Sequence, residues 1–434
     1  MNRLNLLLGI IIVSIASLPF LPGAQIIPYA LLKTGTSLLF LIVAYLLFTT
    51  EVSGRDVIVI LSLSLLLRLL FINMLPIGSD DIYRYVWDGK VQSVSINPYL
   101  FAPNAPELNH LHTPMLPALI NQPHMPTMYF PLSEWIFYLS YSISGDQVWG
   151  YKMLLWIAEI VAMAGLFFTA KQQQINVKYL LLYAVCPLMI FEYSIDGHVD
   201  VFGLMFFSLF LLFYVQRRLI VALVLLGCSF SIKPAALIIL PALFFFEKGK
   251  RNRAAVAVIP VFTLGLQFLP YMFDADVFAS LRAFTKHWTF NGFFFNLFNL
   301  YFQDNQPARL TASIVLLIVV GLIIIRKMPI IEKFYLSLLG LLFFSPIVHP
   351  WYIGWVGILV PLVRKPSGIY YIAAASLTVI TASNYQLYGV WKDYWFVLII
   401  EYVPVIILVL FEVQIVPSTW LTRLSPGNNT NVKQ

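Results

Sequence analysis

Charge is scarce in this chain. Only 11% of its 434 residues are Asp, Glu, Lys or Arg, where a soluble globular domain carries about 25%. That deficit excludes an ordinary water-soluble fold. Cysteine is scarcer still. Cys186 and Cys228 are the two in the sequence, both inside apolar runs, so they define no disulfide framework and leave the redox compartment open. The short nucleotide and hydrolase signatures are missing too. No P-loop, dinucleotide-binding glycine fingerprint, nucleophile elbow or HExxH helix occurs, so a site that uses a nucleotide is not expected. Tandem repeats, heptads and low-complexity tracts are also lacking.

What the chain has instead is apolar length. Hydrophobic residues make up 60% of it, and mean hydropathy is +0.83. A helix needs about 20 apolar residues to cross a bilayer core. Continuous runs such as 34–48 and 314–325 suit helices and exclude the weak alternation of a membrane β-barrel. The expected fold class is an all-α polytopic membrane protein with about 12–14 spans. They fall near 4–22, 28–49, 57–76, 151–170, 179–194, 199–216, 218–232, 234–247, 254–272, 309–325, 334–348, 351–363, 368–382 and 393–413. Those at 218–232, 234–247 and 351–363 are short enough to be tilted, broken or half-spans. Together they make one integral-membrane domain over 1–413, with large loops at 77–150 and 273–308 and a polar, Asn-rich tail at 414–434. Residues 1–22 have a short basic end and an apolar stretch but no small-residue cleavage site, and so read as a retained span.

The net charge is +7. In a membrane protein such an excess reports orientation rather than affinity for nucleic acid, because Lys and Arg accumulate in cytoplasmic loops. With the N-terminus and the tail cytoplasmic, most of the 27 basic residues fall inside, among them Lys248, Lys250, Arg251 and Arg253. This requires that 129–144 lie along the interface as a helix instead of crossing, with Glu134, Trp135, Tyr138 and Tyr141 on its wet side. All six histidines (His110, His112, His124, His198, His287 and His349) then land on the outer face or its boundary. So do Asp80, Asp81, Asp88, Asp196, Asp200 and Lys233. Ionisable groups in or beside a membrane default to function, so the active face is expected outside.

The densest stretch is Ser79-Asp80-Asp81-Ile82-Tyr83-Arg84-Tyr85-Val86-Trp87-Asp88, at the start of the first large loop. With Ser79 as N-cap, both aspartates occupy the first turn of a surface helix, where the dipole favours carboxylates. That structural role alone accounts for them. The i, i+4 spacing puts Asp80, Arg84 and Asp88 on one wet face. Adjacent residues diverge by about 100° on a helix, so one aspartate acts and the other caps or orders. An ionised Asp beside a hydroxyl can take its proton, and the pair could hold a divalent cation such as Mg or Mn. Asn97-Pro98-Tyr99 and the segment 121–131, which includes Tyr129, bring amides and aromatics suited to a sugar ring. An interfacial aromatic belt is the plainer account. The turn at 192–200 offers His198 and Asp200 for positioning an acceptor or, less specifically, for a metal. Lys233 lies in an apolar run before the helix-breaking Pro234 and needs an anion: a phosphate, or an internal partner such as Asp196 or Asp200. Lys286 and His287, among aromatics in the second loop, suit a lipid-borne phosphate, and so does His349 of His349-Pro350-Trp351-Tyr352.

Taken together, these motifs resemble the bacterial polyprenol-phosphate mannosyltransferase-like family of the GT-C superfamily of integral-membrane glycosyltransferases. The resemblance rests on 79–92 with Ile96-Asn97-Pro98-Tyr99 and Ala102-Pro103, and on 126–131, where Phe130 replaces a proline of the family pattern. It also rests on Gly197-His198-Val199-Asp200, on Lys233-Pro234 and, loosely, on His349-Pro350-Trp351-Tyr352. It implies a GT-C-like bundle in the bacterial cytoplasmic membrane, with a long first outer loop bearing interfacial helices and the active site facing outside. It implies a polyprenyl-phosphate sugar donor, a hexose with mannose foremost, a lipid or glycan acceptor, and an inverting single displacement. In that scheme Asp80 or Asp81 deprotonates the acceptor, while Lys233, Lys286, His287 and His349 bind the donor phosphate. Tyr83, Arg84, Asp88, Asn97, Tyr129, His198 and Asp200 are the expected substrate contacts. No cofactor is required, and a divalent cation at Asp80 and Asp81 is optional. The alternative is a transporter or flippase of a polyprenyl-linked or glycolipid intermediate, with Lys233 and Arg68 along its path. Transporters usually pair broken helices in two related halves, whereas the polar residues here cluster on one face.

Overall fold

Helices form where the apolar runs are long, and several begin anew at a proline, although Pro260 and Pro404 are carried inside the helices Lys250–Gln267 and Trp395–Glu412. The computed structural model describes residues 3–21 and 25–414; the expected tail at 414–434 lies outside them from 415 onward. Among the described residues, five helices are long and apolar enough to cross a bilayer: Arg3–Phe20, Ile26–Thr49, Trp149–Gln172, Asn305–Ile325 and Trp395–Glu412. A bent pair, Val177–Ala184 and Pro187–Ile195, makes a sixth and turns by 51° at its break. Hydropathy alone predicts about 12–14 spans. The other apolar runs include the shorter helices Asp200–Val215, Leu219–Ile232, Pro234–Phe246, Phe293–Phe302 and Pro350–Val363. Proline accounts for much of the breakage. Pro187, Pro234 and Pro350 each open a new segment, because proline has no N–H to continue the ladder and clashes with the preceding turn. Among the described residues there is no strand, only isolated bridges from Phe290 and Asn291 to Ile347.

The first large loop carries the helices Asp81–Ser93 and Pro131–Ser144, which pack on each other. Gly89 permits the close crossing, since a Cβ there would strike the carbonyl of Phe137. The predicted wet face of Asp81–Ser93 is not wet. Arg84, Asp88 and Lys90 are buried, and Arg84 Nε lies 2.9 Å from both Asp88 carboxylate oxygens. Glu134, expected on a wet side, is fully buried. It accepts from Thr127 Oγ1 at 2.7 Å and Gln92 Nε2 at 3.0 Å, and burial, then the charge of Asp88, raises its carboxyl well above the usual range. Ile82, Tyr85, Val86 and Trp87 are buried as well, so most of the helix surface is covered by protein. Trp135 and Tyr138 do remain exposed.

Buried cations join the segments that flank this loop to each other and to the bundle. Lys152 donates to the backbone carbonyls of Phe71 at 3.2 Å, Ile195 at 2.6 Å, and Met74. Arg68 pairs with Glu159 and donates to the Ala184 carbonyl at 2.9 Å. At the other large loop, Phe290 N–H donates to Pro346 O at 2.9 Å and Val348 N–H to Phe290 O at 2.7 Å. These bonds bring the segment after the Ala279–His287 helix alongside His349.

Candidate active site

One carboxylate organises the approach to the paired aspartates. Asp196 Oδ1 accepts the N–H groups of Ile77 at 2.9 Å and Gly78 at 2.8 Å, and its Oδ2 accepts from the Tyr29 hydroxyl. Asp196 reaches that place because Ile190–Ile195 winds as a π-helix, closed by Asp196 N–H on Phe191 O at 2.9 Å. Such wide turns are rare and concentrate at functional sites. Gly197 follows with φ +83°, a left-handed conformation that glycine adopts without strain.

Asp80 itself is the N-cap and Asp81 the first helical residue, so the cap falls one residue after Ser79. Ser79 Oγ accepts the Asp81 N–H at 3.3 Å. Asp80 lies off the helix, at φ −106° and ψ 3°, and the divergence expected of helical neighbours does not apply. The two carboxylates converge: Asn121 Nδ2 donates to Asp80 Oδ1 at 2.7 Å and to Asp81 Oδ1 at 2.8 Å.

Behind Asp81 runs a row of alternating charge. His198 Nδ1 is 3.4 Å from Asp81 Oδ2, and its Nε2 is 3.3 Å from Glu192 Oε2. Glu192 is in turn paired with Lys33. The histidine contacts are longer than good hydrogen bonds and act as ion pairs. Burial pulls the His198 imidazole down, but Asp81 and Glu192 outweigh it and raise it to about 9. Burial pushes Asp81 up, yet His198, Asn121 and His349 bring it to about 2. Asp80 moves the other way, raised by burial and by the charge of Asp81 against the Asn121 bond. The result is a firmly ionised Asp81 beside a more basic Asp80.

Trp351 stacks on His198 with ring centroids 3.5 Å apart, and on His349 at 4.3 Å. Burial lowers His349 to about 3, with Lys233 and His198 adding to it against the pull of Asp81, so its ring is neutral at neutral pH. Lys233 Nζ is 3.1 Å from Asp200 Oδ2 and 3.4 Å from the centre of the Tyr352 ring. Trp355 Nε1 donates to the other Asp200 oxygen at 2.9 Å. Asp200 is therefore the internal partner of Lys233, and Asp196 is not.

These groups border a cavity of about 1120 Å³. Of the residues named from sequence, Asp80, Asp81, Tyr83, Tyr129, Asp200, Lys233, His287 and His349 line it. His198 is fully buried, between Asp81 and Glu192. Arg84 and Asp88 pair with each other, Asn97 Nδ2 donates to Tyr271 O at 3.0 Å, and Lys286 is exposed; none of these four is among the lining residues. Tyr29, Lys33, Asn121, Glu192 and Asp196 line it without having been singled out as site residues. Lys33 did carry a signal, since a lysine inside a spanning run is costly without a partner. Asn121 belongs to the amide-bearing segment 121–131, whereas Tyr29 carried no signal.

Glu192, Asp196 and His198 each offer a ligand atom, all within 4.8 Å of one another. The set does not fit a divalent ion. Lys33 and His198 already answer the charge of Glu192, and Asp196 is filled by Tyr29 and two backbone amides.

The sequence matches the family described as alpha-(1->6)-mannopyranosyltransferase, N-terminal domain, over residues 13–247, more than half of the 434-residue chain. The chain belongs to this family. It is a mannosyltransferase, an integral-membrane glycosyltransferase of the kind that the motifs between 79 and 234 resemble. Those motifs lie inside the matched stretch; His349 and Trp351 lie beyond it and still reach the same cavity. No curated protein and no solved structure matches the chain.

Proposed function

We propose that this enzyme transfers mannose from a polyprenyl-phosphate mannose to a hydroxyl of a lipid or glycan acceptor, at the outer face of the bacterial cytoplasmic membrane. One observation carries the reading: Asp80, Asp81 and Lys233 line a single cavity of about 1120 Å³. Leu281, Phe284, Leu338, Leu341 and Leu342 give that cavity an apolar flank suited to the start of a lipid tail. The excess of basic residues in the loops assigned inside supports the orientation.

The acceptor oxygen attacks C1 of mannose, and the bond from C1 to the phosphate oxygen breaks with its electrons leaving on polyprenyl phosphate. The acceptor proton passes to Asp80. Both carboxylates line the cavity and both accept from Asn121, but Asp80 is the better base because its carboxyl is raised, whereas Asp81 is held low by His198. Inversion to an α-linked product requires a β-linked donor. Lys233 meets the developing phosphate charge, and neutral His349 adds a hydrogen-bond donor. His287 serves at the rim, while Lys286, away from the cavity, has no part. Arg84, Asp88 and Asn97 hold the loop. This scheme routes no step through a metal, since Lys233 and His349 can meet the charge of a monophosphate leaving group.

The test offers the purified protein a panel of polyprenyl-phosphate sugars with simple mannoside acceptors. Polyprenyl phosphate should be released from the mannose donor together with a new disaccharide. Release from none of the donors overturns the proposal and favours a transporter. Arg68, paired with Glu159 and absent from the cavity lining, gives the transporter little support.

A further inference from the structure

A second hollow adjoins the cavity. It encloses about 330 Å³ beside the Phe293–Phe302 helix and the first turn of Trp395–Glu412, near the lower end of small-molecule sites at roughly 300–1,000 Å³. Thr289 and Trp391 line both spaces. The other walls of the hollow include Asn296, Asn299, Lys392, Asp393 and Trp395. Asp393 is braced in place: its Oδ1 accepts the Asn291 N–H at 3.1 Å and its Oδ2 accepts Asn296 Nδ2 at 3.0 Å. Trp391 and Trp395 are 47% and 44% exposed, so much of each indole is free to meet a ligand.

Two open indoles, two amides, a braced carboxylate and an ammonium at one hollow make a carbohydrate-binding set. The indole covers the C–H face of a pyranose, and the polar groups meet its hydroxyls. An interfacial tryptophan belt does not call for the Asn296–Asp393 brace. We infer that this hollow is an acceptor subsite, which binds the sugar next to the one whose hydroxyl enters the cavity. The acceptor is then a glycan of more than one sugar that passes across Trp391. The inference rests on the sugar transfer proposed above.

The test compares octyl mannoside with octyl glycosides of α-linked mannobiose and mannotriose as acceptors, using the wild type and the variants Trp395→Ala and Asn299→Ala. Wild type should favour the longer acceptors in kcat/KM by about tenfold, and both variants should lose most of that preference. Equal use of all acceptor lengths by the wild type overturns the subsite. So does a variant that slows every acceptor alike, which is what a tryptophan belt or a folding defect gives. Absence of transfer to any acceptor by the wild type instead overturns the donor reading on which the subsite depends.

Discussion

The two ends of the Asp81–Ser93 helix treat their charges in opposite ways. At the N-terminal end, Asp80 and Asp81 border the cavity, linked through Asn121. Further along, Arg84 and Asp88 are buried and paired with each other. The sequence presents Asp80, Arg84 and Asp88 alike, as charged residues spaced by one helical turn. The difference lies in what each end can still bind. A carboxylate whose charge is answered by a histidine behind it can still face a substrate, whereas one closed in an i, i+4 pair holds only the loop.

Removing Asp80 should give the largest effect. Asp80→Asn is expected to lower kcat by roughly 10²–10⁴ with KM little moved, measured as mannose transfer in detergent or nanodiscs. A smaller loss than that of Asp81→Asn would reverse their roles. Lys233→Met should cost about 10²–10³ in kcat by leaving the departing phosphate without its cation. Retained activity would assign Lys233 to Asp200 alone.

His198→Gln tests the row behind Asp81. Transfer should fall roughly 10–100-fold through misplacement, and the pH profile should change shape. The raised imidazole makes its ion pairs fully below its ordinary value of about 6.5 and loses them as pH rises through about 9. Asp81, held low, keeps its share above about 3.9 and loses it only as pH falls through about 2. Wild type should therefore lose activity above about pH 9, and the variant should lack that limb. A profile identical in both would remove His198 from the mechanism.

Asp88→Ala should act on the opposite end and on another quantity. Breaking a buried pair costs about 3–5 kcal/mol, so the melting temperature should drop while the folded fraction retains its turnover. Lost turnover at an unchanged melting temperature would make Asp88 part of the chemistry. The smallest effect belongs to chelation. EDTA should leave transfer intact, and activity that disappears and returns with Mg or Mn would put a cation at Asp80 and Asp81.

How much was legible can be traced residue by residue. The apolar runs carry the membrane-embedded, all-helical fold directly, because the bilayer admits few other ways to satisfy a backbone. The pattern around Asp80 and Asp81, with Lys233 and His349, marked much of the cavity's polar lining. Periodicity misjudged Arg84, Asp88 and Glu134 as wet, since the i, i+4 rule says which residues share a face and not what covers it. The break at Pro234 was legible as a helix-breaking proline between two runs, whereas the one at Pro187 bends the single run expected at 179–194, which a window average does not resolve.

By itself, then, the sequence determined a helical membrane protein, its family and the aspartate pair. Those are properties of composition and short motifs, which local chemistry carries whole. Only the tertiary structure decided that Asp196 clamps the backbone before the pair, that Lys33, Glu192 and His198 stand in a row behind Asp81, and that Trp351 joins two histidines. Each of these depends on contacts between residues far apart in the chain, and a short motif says nothing about which distant partner will meet it.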